Sequence, residues 1–148
     1  MRNMKELFEK EALDLKTMIV FRNADRSIRC LEQKAARDHS LTPSQFSVLD
    51  TLYAKGKMRI QDLTDRMLAT SGNMTVIIRN MERDGLITRV CDPSDRRAFL
   101  IELTPMGRDQ IEAIYPEHIA HVKEALSVLT QEDKEDLIRI LKKFKNLS

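Results

Sequence analysis

The residues best suited to chemistry are Asp95-Arg96-Arg97, which stand in a polar turn, CDPSDRR, between two β-forming segments, Leu86 to Val90 and Phe99 to Leu103. Two adjacent cations at a turn have no evident folding role. An arginine carried on a hairpin fits the narrow, electronegative minor groove of DNA, and Asp95 can accept from one guanidinium and hold it extended. The segment just upstream offers a second reader. In SGNMTVIIRNMERDG, Met74, Ile77, Ile78 and Met81 recur at the helical period and mark a buried stripe. Ser71, Gly72, Asn73, Thr75, Val76 and Arg79 then lie outward, toward the helix end that enters a major groove. Asn73 can donate to and accept from an adenine edge, Thr75 can meet a base or a thymine methyl, and Gly72 permits close approach. Arg79, Asn80 and Arg83, further along, are placed for phosphates. Taken alone, the helix is equally a solvated face, and the turn a surface ion pair of ~0–1 kcal/mol. Helix, strand, basic turn and strand in succession make DNA the better reading.

These groups need elements to hold them. Ile60, Leu63 and Met67 give a short helix from Arg59 to Met67, Leu68-Ala69-Thr70 a turn, and Ser71 a cap for a helix to Asp84, so the pair is a helix-turn-helix. Gly85 sits where a left-handed helix end is wanted. Thr42-Pro43 with Gln45 is a capping box opening a helix to Ala54; Thr104-Pro105 and Thr130 open helices to Ser127 and Lys145. Pro116 should bend the first of these near Tyr115. From Met4 to Asp38 the chain has no Pro or Gly, which predicts one long helix of roughly 50 Å. Its apolar stripe exceeds what a small core covers, and a second copy of the chain is the simplest partner. The fold class is therefore mainly α with a small β wing. We expect a single domain over 1–148, with a winged helix-turn-helix at about 41–104 and dimerisation helices at about 4–38 and 105–146.

Composition excludes more than it selects. At 148 residues, 42% hydrophobic and 32% charged, the chain is an ordinary globular sequence. A net charge of +2 does not argue for nucleic acid, and from Lys55 to Arg108 ten basic residues face seven acidic ones, so the placement of particular arginines carries the argument. No apolar run suggests a membrane span or leader, and we expect a cytoplasmic protein. Cys30 and Cys91 lack metal-binding spacing and are expected to be reduced thiols. There is no Gly-rich phosphate loop, nucleophile elbow or carboxylate-histidine cluster with catalytic spacing, so an enzyme is not expected, nor a cofactor.

From Leu41 to Gly107 the chain resembles the MarR (multiple antibiotic resistance regulator) family of bacterial transcription factors. The matching segments are LTPSQFSVLDTL, SGNMTVIIRNMERDGLI and DPSDRRAFLIELTPMG. The most specific is Asp92-Pro93-x-Asp95-Arg96-Arg97 running to Leu103-Thr104-x-x-Gly107. The resemblance implies an obligate homodimer, a palindromic operator in double-stranded DNA, and repression relieved by a small molecule. It also implies that Arg97 is the minor-groove residue and Asp95 its orienting partner. Arg59 stands where Ser or Thr usually caps the first helix of the pair, which suggests a phosphate contact instead.

The signal is less explicit. Family members often bind aromatic or phenolic compounds in a crevice, for which Phe21, Ile28, Phe46, Met58 and Tyr115 are candidates, with Arg22 and Arg29 as basic neighbours; each also fits a core position. Some relatives sense oxidants or electrophiles through a first-helix cysteine. Here Cys30 has Arg26, Arg29 and Lys34 nearby, and such cations favour the thiolate. His118 and His121, with Glu117 adjacent and His39 earlier, form a weak pattern for metal, and no metal site is expected. A different class remains open: a winged-helix adaptor that binds protein and not DNA, for which Asp95 and Arg97 would be dispensable.

Overall fold

The computed structural model describes residues 3–67 and 71–144. Among the described residues, eight helices and three strands follow one another as α1 (Met4–Lys10), α2 (Ala12–Glu32), α3 (Lys34–Asp38), α4 (Pro43–Lys55), β1 (Met58–Arg59), α5 (Ile60–Arg66), α6 (Ser71–Arg83), β2 (Ile87–Asp92), β3 (Asp95–Leu103), α7 (Pro105–Ala125) and α8 (Gln131–Leu141). They form two compact units. One takes the chain up to Glu32 and from Ala120 on; the other is Gln33–Ile119. No described helix is long and apolar enough to cross a membrane.

The second unit is built around a sheet of order β1-β3-β2, all antiparallel. Its core draws Ala35 and Ala36 from α3, Val48, Leu49 and Leu52 from α4, Leu63 from α5, Met74, Ile78 and Met81 from α6, Ile101 from β3, and Ile111 and Ile114 from α7. On α6 the expected stripe is confirmed, with Ile77 half-buried at its margin. α4 opens with the expected box: the Gln45 amide donates to Thr42 Oγ1 at 3.2 Å and the Thr42 amide to Gln45 Oε1 at 3.0 Å. α6 closes as expected too. Gly85 takes φ 78°, its amide donates to the Glu82 carbonyl, and the Leu86 amide reaches back to Met81, which is a Schellman ending.

Three expectations are corrected. The single helix from Met4 to Asp38 is three helices, interrupted at Glu11 and Gln33. Glu11 only loosens the rod, since Leu15 still donates to its carbonyl. At Gln33 the chain passes into the winged unit, where Ala35 and Ala36 are buried, and α3 ends in a left-handed Ser40 with the Leu41 amide bonded to Ala36. Burial of two small residues decides that break, and helix propensity carries no trace of it. The turn CDPSDRR is also much tighter than expected. Only Pro93 and Ser94 lie between β2 and β3, and Arg96 and Arg97 belong to a strand. Finally, β1 was not anticipated; it pairs Met58 with Ile101 and Arg59 with Leu100.

Helix α7 continues through Pro116 to Ala125, so the proline does not end it. In the first unit, α8 is capped by Thr130, whose Oγ1 accepts from the Asp133 amide at 3.1 Å while Asp133 Oδ2 accepts from the Thr130 amide at 2.9 Å. These bonds hold the Asp133 carboxyl below its ordinary range. None of the residues of α1, α2 or α8 is buried.

Candidate nucleic-acid interface

Helix α6 is held from behind by Met74, Ile78 and Met81, all fully buried, so its opposite side is fixed as the outer one. Gly72, Asn73, Thr75, Val76, Arg79 and Arg83 are exposed there and Asn80 is half-buried, as the helical period requires. Ser71 opens the helix, but its side chain and the turn Leu68-Ala69-Thr70 lie outside the described residues. Arg83 Nε pairs with Asp84 at 3.1 Å, an exposed contact that a phosphate can replace. Arg89 on β2 is bound through Nε to both oxygens of Glu82 at 3.0 Å, which ties the end of α6 to the base of the wing.

The wing is closed by two aspartates with different tasks. Asp95 Oδ1 accepts from the Arg97 backbone amide at 3.0 Å. The guanidinium contact expected of Asp95 is not seen among the described residues; its bond is to the main chain. Among the described residues, no ion-pair partner meets the Arg96 or Arg97 side chains, and both are exposed. Asp92 was read only as part of a motif, yet it is the best-connected residue of the hairpin. Its Oδ1 accepts from the Ser94 amide at 2.9 Å and the Ser94 hydroxyl at 2.6 Å; its Oδ2 accepts from Arg59 Nη2 at 2.6 Å and Nε at 2.9 Å. The two bonds from Ser94, with Arg59 behind them, pull its carboxyl down to about 2 against the opposing effect of burial. Arg59 therefore caps α5 with backbone only, and its side chain is committed to Asp92.

The base of the wing is fixed by Thr104 and Gly107. Thr104 Oγ1 donates to the Gly85 carbonyl at 2.6 Å and accepts from the Gly107 amide at 3.0 Å. A Cβ on Gly107 would stand 1.9 Å from the Leu86 carbonyl oxygen, so only glycine permits the approach.

The other expected site residues fall into separate places. Phe46 and Tyr115 share a polar-aromatic cluster between α4 and α7: Phe46 packs on the His118 ring at 4.8 Å, Tyr115 meets Tyr53 at 5.3 Å with the rings tilted by 58°, and Tyr115 donates a short bond to Asp50. Burial, reinforced by Asp50, pushes the Tyr115 hydroxyl far above its usual range. Tyr53 donates to Glu112 at 3.1 Å beneath Arg108, whose guanidinium lies 5.3 Å from the ring. The Nδ1 of His118 is buried with no partner among the described residues. Asp50, Tyr53 and His118 were missed as members of this cluster, although Phe46 and Asp50 are four apart and Tyr115 and His118 three apart, one helical face in each case. Met58 belongs to the core, while Phe21 and Ile28 lie on α2 in the first unit.

Cys30 and Cys91 are both exposed. The cation beside Cys30 is engaged, since Arg29 Nε binds both oxygens of Asp25 at 3.0 and 2.9 Å. His39 pairs with Glu117 at 3.2 Å, and no three potential ligands converge for a metal among the described residues.

Residues 41–99 match the model of the MarR family. The uncharacterized HTH-type transcriptional regulator YkoM of Bacillus subtilis strain 168 is 33% identical over 143 residues, covering 95% of this chain and 92% of its own. The HTH-type transcriptional regulator MhqR of the same strain is 36% identical over 129 residues, covering 87% and 89%. Among solved structures, a putative MarR-like transcription regulator from Bacillus cereus superposes with a TM-score of 0.78 at 25% identity, over 90% of this chain and 96% of that one. A winged unit with an outward α6, an arginine-tipped hairpin and relatives along almost its whole length makes this chain a member of the MarR family of transcriptional regulators.

Proposed function

We propose that the protein is a homodimeric repressor acting in the bacterial cytoplasm. Each copy lays Ser71 to Asn80 of α6 in a major groove of a palindromic operator and inserts Arg97 into the adjacent minor groove. The observation that carries this reading is the wing: two exposed arginines at the end of a two-residue turn, one aligned through its amide by Asp95, on the same body as the exposed face of α6. A turn built that way presents a cation away from the fold. Dimerisation is supported by the exposed apolar residues of α2 and α8, among them Ile19, Phe21, Ile138 and Ile140. A two-fold dimer reads two half-sites, which is why the operator is a palindrome.

Release is triggered by a small phenolic or aromatic ligand at the cluster of Phe46, Asp50, Tyr115 and His118. Ring faces for stacking, a carboxylate already holding one phenol, and an imidazole nitrogen with acceptor or donor capacity suit that class. Arg97→Ala tests the DNA reading. On a duplex enriched by the wild-type protein from a random-sequence pool, it should weaken binding by ~1–3 kcal/mol and lower the salt slope by about one or less per subunit. Equal affinity at fixed salt would remove Arg97 from the interface.

A further inference from the structure

The bonds of Asp92 run in two directions, and their ends have different functions. Through Oδ1 it closes the turn over Pro93 by holding the amide and hydroxyl of Ser94. Through Oδ2 it holds the guanidinium of Arg59, 33 residues earlier, at the first residue before α5. Asp92 is 6% exposed, faces Asp95 across the hairpin, and directly follows a register shift between Cys91 and Asp92. Arg59 is also the end of β1, paired to Leu100 on β3. A continuous line of bonds therefore leads from the cap of α5 through Asp92 and the turn to Asp95, and from Asp95 to the amide of Arg97.

The geometry points to Arg59 and Asp92 as a latch that sets the angle of the wing tip against the helix-turn-helix, making both of them positioning residues for Arg97. This rests on the minor-groove reading of the wing. A charge-assisted, two-point contact is directional, and an arginine that gives two of its donors to one carboxylate oxygen holds the tip in one attitude. A hairpin end with two intervening residues has no packed core of its own to do this. The competing role for Arg59, a direct phosphate contact, makes opposite demands on Asp92. If Arg59 only attracted phosphate, Asp92 would compete with DNA and its neutralisation would tighten binding. As a latch, its neutralisation must loosen binding, because the tip is released.

The test is a set of operator-binding measurements on the enriched duplex with Arg59→Gln, Asp92→Asn, Arg97→Ala and their pairs. Asp92→Asn keeps Oδ1 as an acceptor for Ser94 and puts an amide NH2, a donor, where Oδ2 accepted from Arg59, so it breaks the latch and spares the turn. We expect Arg59→Gln and Asp92→Asn each to weaken binding by roughly tenfold, to be no worse together than singly, and to cost less than about twofold once Arg97 is alanine. Tighter binding by Asp92→Asn, or losses that simply multiply with that of Arg97→Ala, would overturn the latch while leaving the wing reading intact. An Arg97→Ala variant of wild-type affinity would instead overturn the wing reading and the latch with it. If Arg59→Gln does not fold, judged by its thermal transition, the Asp92→Asn and Arg97→Ala cycle decides the matter alone.

Discussion

The two units of the chain bury apolar surface to very different degrees. In Gln33–Ile119, helices, strands and hairpin all send side chains into one interior, and Leu49, Leu63, Ile78 and Ile101 are fully enclosed. In the unit formed by the two ends of the chain, α1, α2 and α8 enclose nothing among the described residues, and Leu13 is 77% exposed. The same kind of amphipathic pattern thus has two outcomes. Where loops are short and a sheet supplies a floor, the stripe folds onto its own chain. Where helices stand without a floor, the stripe stays exposed, and in the proposed dimer a second copy would cover it, making assembly part of folding.

The contrast can be broken first in the winged unit. Ile78→Ala should cost ~2–5 kcal/mol in denaturant unfolding, because it opens a cavity in a closed core; a cost under ~1 kcal/mol would mean that this interior is no better packed than α2. In the other unit, Ile19→Glu should leave the far-ultraviolet spectrum of the winged unit in place. It should weaken dimerisation by at least ~2 kcal/mol, seen as a raised dissociation constant in sedimentation. An unchanged dimer would remove Ile19 from the interface.

Smaller effects sharpen the comparison. Thr42 and Thr130 make matching boxes in the two units. Replacing either with alanine removes ~1 kcal/mol of helix capping. Thr42→Ala should shift the unfolding midpoint at any protein concentration, whereas the effect of Thr130→Ala should depend on concentration, because the proposed dimer would stabilise α8 through assembly. Acid should act on a single carboxylate of the winged unit. The Asp92 carboxyl is lowered in the fold to about 2, from a value near ~4 in an unfolded chain. Its contribution is fully present above about pH 4 and is lost as pH falls through about 2. Between those limits the urea midpoint of wild type should fall more steeply than that of Asp92→Asn.

What could be read from the sequence was whatever is settled within a few neighbours. The Thr42 box, the Gly85 ending and the Met74, Ile78, Met81 stripe are local patterns, and the structure realises them at or near the residues expected. What escaped depends on contacts between distant residues. A two-residue strand at Met58–Arg59 has no pattern of its own and exists because Ile101 and Leu100 lie beside it. The interruption at Gln33 exists because Ala35 and Ala36 are needed in a core. At the interface the same division holds. Asp95, Arg96 and Arg97 are visible as a motif, but the Arg59–Asp92 contact joins positions with no sequence relationship, and an arginine in place of a capping residue was the one local sign of it.

The two-residue turn of the wing has a consequence for how this hairpin can vary. Val90 faces Leu100 and Cys91 faces Phe99, but Asp92 faces Asp95, so Arg96, Arg97 and Ala98 have no partner on β2 and form a bulge behind the Pro93-Ser94 tip. A bulge re-aims the side chains it carries, so deleting Ala98 would turn Arg97 another way while the paired strands below kept their register. Such a deletion would abolish what many substitutions in the same turn would only weaken. For this wing, length is a stricter inheritance than spelling.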